Sequence, residues 1–189
     1  MANRIKTDLT EAEVARFLKA AKTGRYGVRD YAMMLVCYRH GFRVSELIDL
    51  RKDEVDLGSA HIQVRRLKGS MSTKQVMEGD ELRAVRAWIR EQSVTQASAS
   101  SFLFTSERGD PFTRQAINYL VRVIGERAGF PFRVHPHMLR HSCGFALANR
   151  GLDTRLVQDA LGHKNIAHTV RYTRTAAKRF EGMWRKGGA

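Results

Sequence analysis

The stretch that decides the interpretation of this 189-residue chain is His137-Met138-Leu139-Arg140-His141. It is followed by Leu161-Gly162-His163 and, nine residues after His163, by Tyr172. A third motif, Gly41-Phe42-Arg43-Val44-Ser45-Glu46-Leu47, lies far upstream. Together the three motifs supply two guanidiniums, several imidazoles and a phenol, which are the groups needed to attack a phosphodiester with a side-chain hydroxyl.

Cleavage of DNA by a protein hydroxyl sets definite chemical requirements. A phenol, with an ordinary pKa of about 10, must lose or share its proton as it attacks. The transition state gathers negative charge on the non-bridging oxygens, and an arginine fork can donate two hydrogen bonds to them without losing its charge. The leaving 5′ oxygen needs a proton from a lysine or histidine. Such a site works without a cofactor.

The overall charge indicates a polyanionic partner. Lys and Arg number 33 against 19 Asp and Glu, a formal net charge of +14. Nucleic acid is the commonest partner of such a protein, although a ribosomal-type or membrane-surface protein also fits the charge alone. No run approaches the roughly 18 apolar residues that span a bilayer, and residues 1–6 lack a signal-peptide core. We therefore expect a cytoplasmic protein.

Apolar periodicity predicts a mainly helical domain with one small antiparallel sheet. Alternation over 60–76, with a turn at Gly69-Ser70, predicts a β-hairpin, and Phe102-Leu103-Phe104 predicts a short strand. Cys37 and Cys143 lie in apolar helical patterns and are predicted to be buried free thiols. One helix is predicted to begin at a capping box formed by Thr10 and Glu13, and a short one at a cap by Ser45. Apolar periodicity predicts further helices over 28–40, 80–92, 113–128, 136–149 and 153–161, and a terminal helix from 176 onward.

Each candidate side chain has an ordinary interpretation when it is taken alone. Arg43 could be a surface arginine and Tyr172 a packing residue. His137 and His141, four residues apart on a helix, also have the spacing of a metal-binding pair, and His135 is near. A zinc protease would need a glutamate directly after the first histidine, and an arginine within the ligand set would repel the cation. We therefore predict no metal.

The joint pattern resembles the tyrosine recombinase (phage integrase) family over about residues 8–180. The resemblance implies the α+β catalytic-domain fold of that family. It makes Arg43 the first catalytic arginine and Glu46 its supporting acid. The remaining implied residues are catalytic His137 and Arg140, His163 as the third basic position, His141 in a supporting role, and Tyr172 as the nucleophile.

The family also keeps a lysine in a β-hairpin between the first two motifs, where it protonates the leaving 5′ oxygen. Lys68 fits best. The usual hairpin has a glycine before that lysine and a proline after it, whereas here Leu67 precedes it and no proline follows, so Lys74 stays an alternative. The candidate DNA-binding residues are Arg65, Arg66, Lys74, Arg114, Lys164 and Arg171.

The chain is most similar to the short recombinases of fimbrial phase variation, which invert a promoter segment, and the stretches 135–144 and 153–159 strengthen that likeness. We accordingly expect an N-terminal tail over 1–8, a catalytic domain over 9–175, and no N-terminal core-binding domain. A C-terminal helix or tail over 176–189, bearing Phe180, Met183 and Trp184, would either dock on a neighbouring subunit or pack on its own core.

The resemblance implies that Tyr172 forms a 3′-phosphotyrosine on double-stranded DNA, with His137 as proton acceptor and Lys68 as acid. The free 5′ hydroxyl of a partner strand then reverses the attack. Family members act as homotetramers on paired sites, and accessory DNA-bending proteins are a further possible partner; such a protein would associate with the nucleoid. Two alternatives stay open: a type IB topoisomerase-like strand transferase and a non-catalytic DNA-binding regulator.

Overall fold

The computed structural model of the chain describes residues 6–67 and 70–174. Within these ranges helices dominate and a small antiparallel sheet completes the fold, which confirms the predicted fold class. Two short 3-10 turns, Lys52–Glu54 and Gln96–Ala99, lie between the larger elements. The helices are α1 Glu11–Ala21, α2 Gly27–Arg39, α3 Val44–Ile48, α4 Gly79–Ser93, α5 Arg114–Arg127, α6 Pro136–Asn149, α7 Thr154–Leu161 and α8 Ala167–Thr173, and the strands are β1 Val55–Asp56, β2 His61–Val64 and β3 Thr73–Val76.

Local capping explains where several helices begin and end. Thr10 and Glu13 form the predicted capping box at the start of α1. Thr113 caps α5, and the carboxylate of Asp153 accepts two backbone N–H groups at the start of α7. Gly41 follows the end of α2 with a φ of +56°, a conformation that favours glycine, and so turns the chain toward the functional site.

The sheet has the order β1-β2-β3, and both pairs of strands are antiparallel. Residues 60–76 contain the predicted hairpin, while β1 was not predicted because two residues carry no periodic signal. Ile62 and Val64 face the core. Gln63 pairs with Lys74, and both side chains are exposed on the outer face. The turn between β2 and β3 contains Lys68 and Gly69, which lie outside the described residues.

Two local predictions were wrong. Helix α3 begins at Val44, not after a Ser45 cap, because the carboxylate of Glu46 accepts the backbone N–H of Arg43 at 2.9 Å and so caps the helix. Residues 102–104 do not form a strand: Phe102 makes an isolated bridge to Arg51, and Leu103 and Phe104 are buried in the core. A short apolar run reports burial and does not by itself distinguish a strand from a packed loop.

The core consists of a large cluster centred on α1, α2, α4, α5 and α6, and a smaller one beneath α6, α7 and α8. The smaller cluster contains Cys143, Val157, Leu161 and Tyr172. Cys37 and Cys143 are buried free thiols, as predicted, and burial raises the pKa of each to about 12. None of the described helices combines the length and apolar character needed to cross a membrane. The predicted terminal helix from 176 lies outside the described residues.

Candidate active site

A cleft of about 1030 Å³ is lined by residues from five separate parts of the chain, four of which contribute basic side chains. Arg43, His137 and His163, which the sequence places far apart, all line it. Among the described residues that line the cleft there is no Asp or Glu, so its electrostatic potential favours an anion. The other lining residues are Val44, Ser45, Leu67, Ser70, Arg114, Asn118, His135, Pro136, Lys164, Asn165 and His168.

Arg43 is presented to the cleft by the turn between α2 and α3. Its Nη1 donates to Glu46 Oε1 at 2.6 Å, and its side chain stays 33% exposed. Burial alone would raise the pKa of Glu46, but the backbone hydrogen bond from Arg43 and the charge of Arg66 lower it below its ordinary value. Glu46 is therefore a permanent carboxylate that holds Arg43, and the predicted Arg43–Glu46 pair is present.

Arg140 is placed more deeply than Arg43. It is buried on α6 and donates from Nη1 to the carbonyl of Gly41 and from Nη2 to the carbonyl of Leu161 at 2.6 Å. It does not line the cleft directly. Burial, together with the charges of Arg43 and Arg66, lowers its pKa to about 10, so the guanidinium remains charged at neutral pH. Arg140 ties the Gly41 turn to the end of α7.

Arg66 is not available to DNA, and its prediction as a DNA-binding residue was wrong. Its side chain is fully buried and forms an ion pair with Glu46 at 2.8 Å. It also donates to the backbone carbonyls of His40, Gly41 and Ala160. Two consecutive arginines suggested a basic surface. In an extended chain, however, successive side chains point to opposite faces, so Arg65 is exposed while Arg66 is buried.

Two histidines of the cleft, His137 and His163, have pKa values lowered below the ordinary value of an imidazole. Burial and the nearby Arg140 lower the pKa of His163 to about 3, and its Nδ1 is hydrogen-bonded to Thr169 Oγ1 at 2.9 Å. Burial and Arg140 also lower the pKa of His137, which lies at the start of α6. Each neutral imidazole therefore has one nitrogen able to accept a proton and one able to donate.

Tyr172 is near these groups but does not open into the cleft. It is 1% exposed, and its hydroxyl lies 2.7 Å from Nδ1 of His141. Its ring stacks at 6.2 Å from the ring of His163 and meets Phe145 edge-on at 5.0 Å. Burial raises the pKa of Tyr172, and burial with the charge of Arg171 lowers that of His141 to about 4. At neutral pH the uncharged phenol of Tyr172 is therefore hydrogen-bonded to the uncharged imidazole of His141.

Of the two candidate lysines, Lys68 lies outside the described residues. Leu67 and Ser70, which bracket Lys68 and Gly69 in the sequence, both line the cleft. Lys74 is exposed on the outer face of the sheet, where its charge helps to lower the pKa of Asp56, and it does not line the cleft. The described residues on either side of Lys68 and Gly69 thus line the cleft, whereas Lys74 does not.

The remaining basic candidates are exposed, but only some of them face the cleft. Arg114 and Lys164 line it, and Arg114 also donates to Ser45 Oγ at 2.7 Å. Arg65 is paired with Glu54 at 2.5 Å outside the cleft. Arg171 lies on α8, with its guanidinium carbon 5.7 Å from the centre of the Tyr172 ring.

Sequence reasoning missed several residues of the site. His168 lies five residues after His163 and belongs to no periodic pattern, yet it lines the cleft with its ring centre 6.0 Å from that of His163. Asn118 and Asn165 also line it, and Thr169 orients His163. Such ordinary polar residues carry no signal until the fold brings them together. In the described ranges, no cluster of three or more His, Cys, Asp or Glu is placed to hold a metal ion.

Comparison with known proteins identifies strong similarities. A model of the phage integrase family matches residues 7–179. Type 1 fimbriae regulatory protein FimB of Escherichia coli strain K12 is 44% identical over 182 residues, which cover 96% of this chain and 91% of FimB. FimE of the same strain is 46% identical over 179 residues, which cover 94% of this chain and 90% of FimE.

Longer recombinases match across part of their length. Tyrosine recombinase XerD of Ralstonia nicotianae is 34% identical, and the match covers 93% of this chain but 58% of XerD. The crystal structure of XerA recombinase superposes with a TM-score of 0.80 at 31% identity, covering 94% of this chain and 63% of XerA. The structure of XerH bound to palindromic difH has a TM-score of 0.79 at 23% identity, covering 97% and 55% of the two chains, and supports the fold alone.

Proposed function

The chain belongs to the phage integrase family, and we propose that it is a tyrosine site-specific recombinase that cuts and rejoins double-stranded DNA. One observation carries the proposal: Arg43, His137 and His163 meet in a single cleft whose described lining contains no acidic residue, and the ring of Tyr172 stacks against that of His163. A regulator that only binds DNA has no need to bring these four residues together.

The chemistry proceeds by transesterification. The scissile phosphate enters the cleft, and Arg43, Arg140 and His163 stabilise the charge on its non-bridging oxygens. The oxygen of Tyr172 attacks phosphorus, His137 accepts the phenolic proton, and the bond to the 5′ oxygen breaks. Lys68 gives that oxygen its proton. The 3′-phosphotyrosine keeps the phosphodiester bond energy, so the 5′ hydroxyl of a partner strand reverses the step without ATP.

Tyr172 must leave its observed position before it can attack. Its hydroxyl is hydrogen-bonded to His141, and its ring belongs to the small core cluster and does not line the cleft. If α8 moves toward the phosphate, the hydroxyl of Tyr172 would lose its hydrogen bond to His141 and come near His137, which lines the cleft. We propose that the structure is the resting state and that bound DNA selects the state in which the phenol reaches phosphorus.

Two features support Lys68 over Lys74 as the leaving-group acid. The residues that flank Lys68 and Gly69 line the cleft, whereas Lys74 is on the outer face of the sheet. A lysine must come within hydrogen-bond distance of the 5′ oxygen to protonate it. Lys74 would have to cross the sheet to do so.

The cellular outcome we propose is inversion, or another rearrangement, of a DNA segment. The support is the 44–46% identity to the two fimbriae regulatory proteins over at least nine-tenths of their lengths. We further propose a tetramer on paired sites, with accessory DNA-bending proteins, acting at the nucleoid in the cytoplasm. In this assignment residues 9–175 are the catalytic domain and residues 176–189 mediate contact between subunits.

Plasmids carrying one or two copies of the recombination site, taken from DNA that flanks the gene, test the proposal. A recombinase rearranges the two-site plasmid, with relative site orientation deciding between inversion and excision. A topoisomerase-like enzyme would relax the one-site plasmid as fast as the two-site plasmid and rearrange neither. A regulator would bind both and change the topology of neither.

A further inference from the structure

Thr169 lies on the helix that carries Tyr172, and the mechanism above gives its hydroxyl no task. Thr169 is fully buried, and its Oγ1 is 2.9 Å from Nδ1 of His163. Thr169 and Tyr172 are three residues apart on α8, so they lie on the same side of the helix. The ring of Tyr172 also lies against the ring of His163, at 6.2 Å. One face of α8 therefore contacts His163 twice, through a hydroxyl and through the ring of the candidate nucleophile.

The position of the ring proton decides what His163 does in the cleft. Burial and the charge of Arg140 lower its pKa to about 3, so at neutral pH the ring carries one proton, on Nδ1 or on Nε2. Because Nδ1 is engaged with Thr169, Nε2 is the nitrogen left for a phosphate in the cleft that His163 lines. A bare Nε2 would set a lone pair against an anionic oxygen, whereas a protonated Nε2 would donate a hydrogen bond to it. Only the form with the proton on Nε2 stabilises the negative charge.

The buried hydroxyl of Thr169 selects that form. Among residues 6–67 and 70–174, Nδ1 of His163 is the one hydrogen-bond partner of this hydroxyl, and the bond that a helical threonine often makes to the carbonyl four residues earlier is not present there. If Nδ1 carried the ring proton, Thr169 would accept it and its own hydrogen would be left without an acceptor, which costs free energy in a buried site. If Nδ1 is bare, the hydroxyl donates to it and the ring proton is on Nε2.

We propose that Thr169 is a positioning residue that donates its hydroxyl hydrogen to Nδ1 of His163 and so holds the ring proton on Nε2, which donates it in a hydrogen bond to a non-bridging oxygen of the scissile phosphate. The proposal rests on the recombinase function given above. Thr169 does not line the cleft, so it acts through His163 and does not touch the DNA.

The backbone of His163 is fixed by contacts that do not involve Thr169. The backbone N–H of His163 donates to the carbonyl of Gln158 at 3.1 Å. The side-chain amide of Gln158 donates in turn to the carbonyl of His163 at 2.8 Å. With the backbone held from α7, what the Thr169 hydroxyl sets is the orientation of the ring and the nitrogen that carries its proton. Removal of the hydroxyl is therefore expected to change the ring of His163 and to leave its backbone in place.

Thr173 provides a matched control on the same helix. It is also buried, and its hydroxyl accepts a hydrogen bond from Thr154 Oγ1 at 2.9 Å instead of contacting an imidazole. Thr169→Val and Thr173→Val each replace one buried hydroxyl of α8 by a methyl group. The two variants differ in whether the lost hydroxyl contacts His163.

Long-range proton–nitrogen NMR spectra of the histidine rings at pH 7.5 show the tautomer of His163 without any DNA. The signals that disappear in His163→Ala are those of His163. For the wild type we expect Nδ1 to be the bare nitrogen and Nε2 the protonated one. Thr169→Val should shift the Nδ1 signal and raise the share of the Nδ1-protonated form, Thr169→Ser should restore the wild-type spectrum, and Thr173→Val should leave it unchanged. A wild-type ring protonated on Nδ1 would overturn the proposal.

Single-turnover cleavage of a suicide DNA substrate at saturating protein tests the link to the phosphate. We expect Thr169→Val to cleave about tenfold more slowly than the wild type, the lower end of the loss on removing the outer partner of a metal-binding imidazole, and Thr169→Ser to recover most of the rate. In a His163→Ala background Thr169→Val should have no further effect, whereas any effect of Thr173→Val should be the same in both backgrounds. A full Thr169→Val defect in the His163→Ala background would overturn the proposal. If the wild type shows the expected tautomer but cleaves no DNA, it is the recombinase function that fails.

Discussion

The hydroxyl of Tyr172 is hydrogen-bonded to Nδ1 of His141 at 2.7 Å, so the candidate nucleophile is held inside the protein by the last histidine of the 137–141 motif. The two residues lie on α8 and α6, which pack together around Phe145. The hydrogen bond satisfies a buried phenol that would otherwise be left without a partner. This bond must break before the phenol can reach a bound phosphate.

Replacement of His141 tests this bond. His141→Phe keeps an aromatic ring but removes the partner of the Tyr172 hydroxyl, and we expect it to lower the free energy of unfolding by about 1–3 kcal/mol, the cost of a buried unsatisfied polar group. Urea denaturation at pH 7.5 measures the change. His141→Gln, which keeps a hydrogen-bonding group, should lose less, and equal losses for the two variants would contradict the role of the bond.

Gly144 allows Tyr172 to lie directly against α6. A Cβ at this position would be 2.7 Å from Cε2 of the Tyr172 ring. We expect Gly144→Ala to force the ring away and to lower the free energy of unfolding by about 1–3 kcal/mol through overpacking.

A double-mutant cycle isolates that contact. In a Tyr172→Leu background the ring is gone, so the added methyl of Gly144→Ala should cost much less than it does in the wild type. The same loss in both backgrounds, measured by urea denaturation, would show that the ring of Tyr172 is not what the methyl meets.

Glu46 is expected to be indispensable to the site because it is the shared carboxylate of Arg43 and Arg66. Its side chain is fully buried, and Glu46→Gln leaves two guanidiniums without a counter-charge. Breaking a buried pair typically costs about 3–5 kcal/mol, and we expect cleavage by the folded variant to slow as well.

Glu54→Gln is the control, since Glu54 pairs with the exposed Arg65. An ion pair with an exposed partner is worth about 1 kcal/mol or less. Thermal unfolding and single-turnover cleavage of both variants make the comparison. If Glu46→Gln is no more harmful than Glu54→Gln, the network around Glu46 does not organise the site.

Stability should fall as the pH is lowered from 7.5 to 5. The folded protein keeps the pKa of His141 at about 4 and that of His163 at about 3, whereas in the unfolded chain a histidine titrates near 6.5. Below pH of about 6.5 the unfolded state therefore binds more protons than the folded state, so the stabilisation present above that pH is lost progressively toward pH 4. After a discount for partial exposure, we expect about 1 kcal/mol per imidazole at pH 5.

Urea denaturation at the two pH values, for wild type and for a His141→Gln, His163→Asn double variant, checks this linkage. The double variant should lose less stability on acidification than the wild type does. An unchanged pH dependence would mean that other groups control it.

The sequence contained the parts of the site but not their arrangement. The glycine turn at Gly41, the capping box at Thr10 and the spacing of His137 and Arg140 on one helix are local signals, and local signals predict local structure well. The burial of Arg66 and the outward position of Lys74 depend on which face of the hairpin meets α7. That packing is decided by tertiary contacts, and the sequence alone does not show which of several neighbouring basic residues will be buried.

The contact between Tyr172 and His141 shows the same limit. The family resemblance implies a catalytic role for Tyr172, but not that its hydroxyl is withdrawn from the cleft. The withdrawal depends on the packing of α8 against Gly144 and Phe145 on α6. No periodicity within the seven residues of α8 could predict that long-range contact.

The central claim is that Tyr172 becomes covalently joined to DNA, and a nicked suicide substrate made from the DNA flanking the gene tests it most directly. After the reaction a denaturing gel separates free DNA from a protein–DNA adduct. We expect an adduct with wild-type protein and none with Tyr172→Phe, whose DNA affinity should stay within about threefold, under 1 kcal/mol, of the wild type. An adduct of undiminished yield with Tyr172→Phe would contradict the claim.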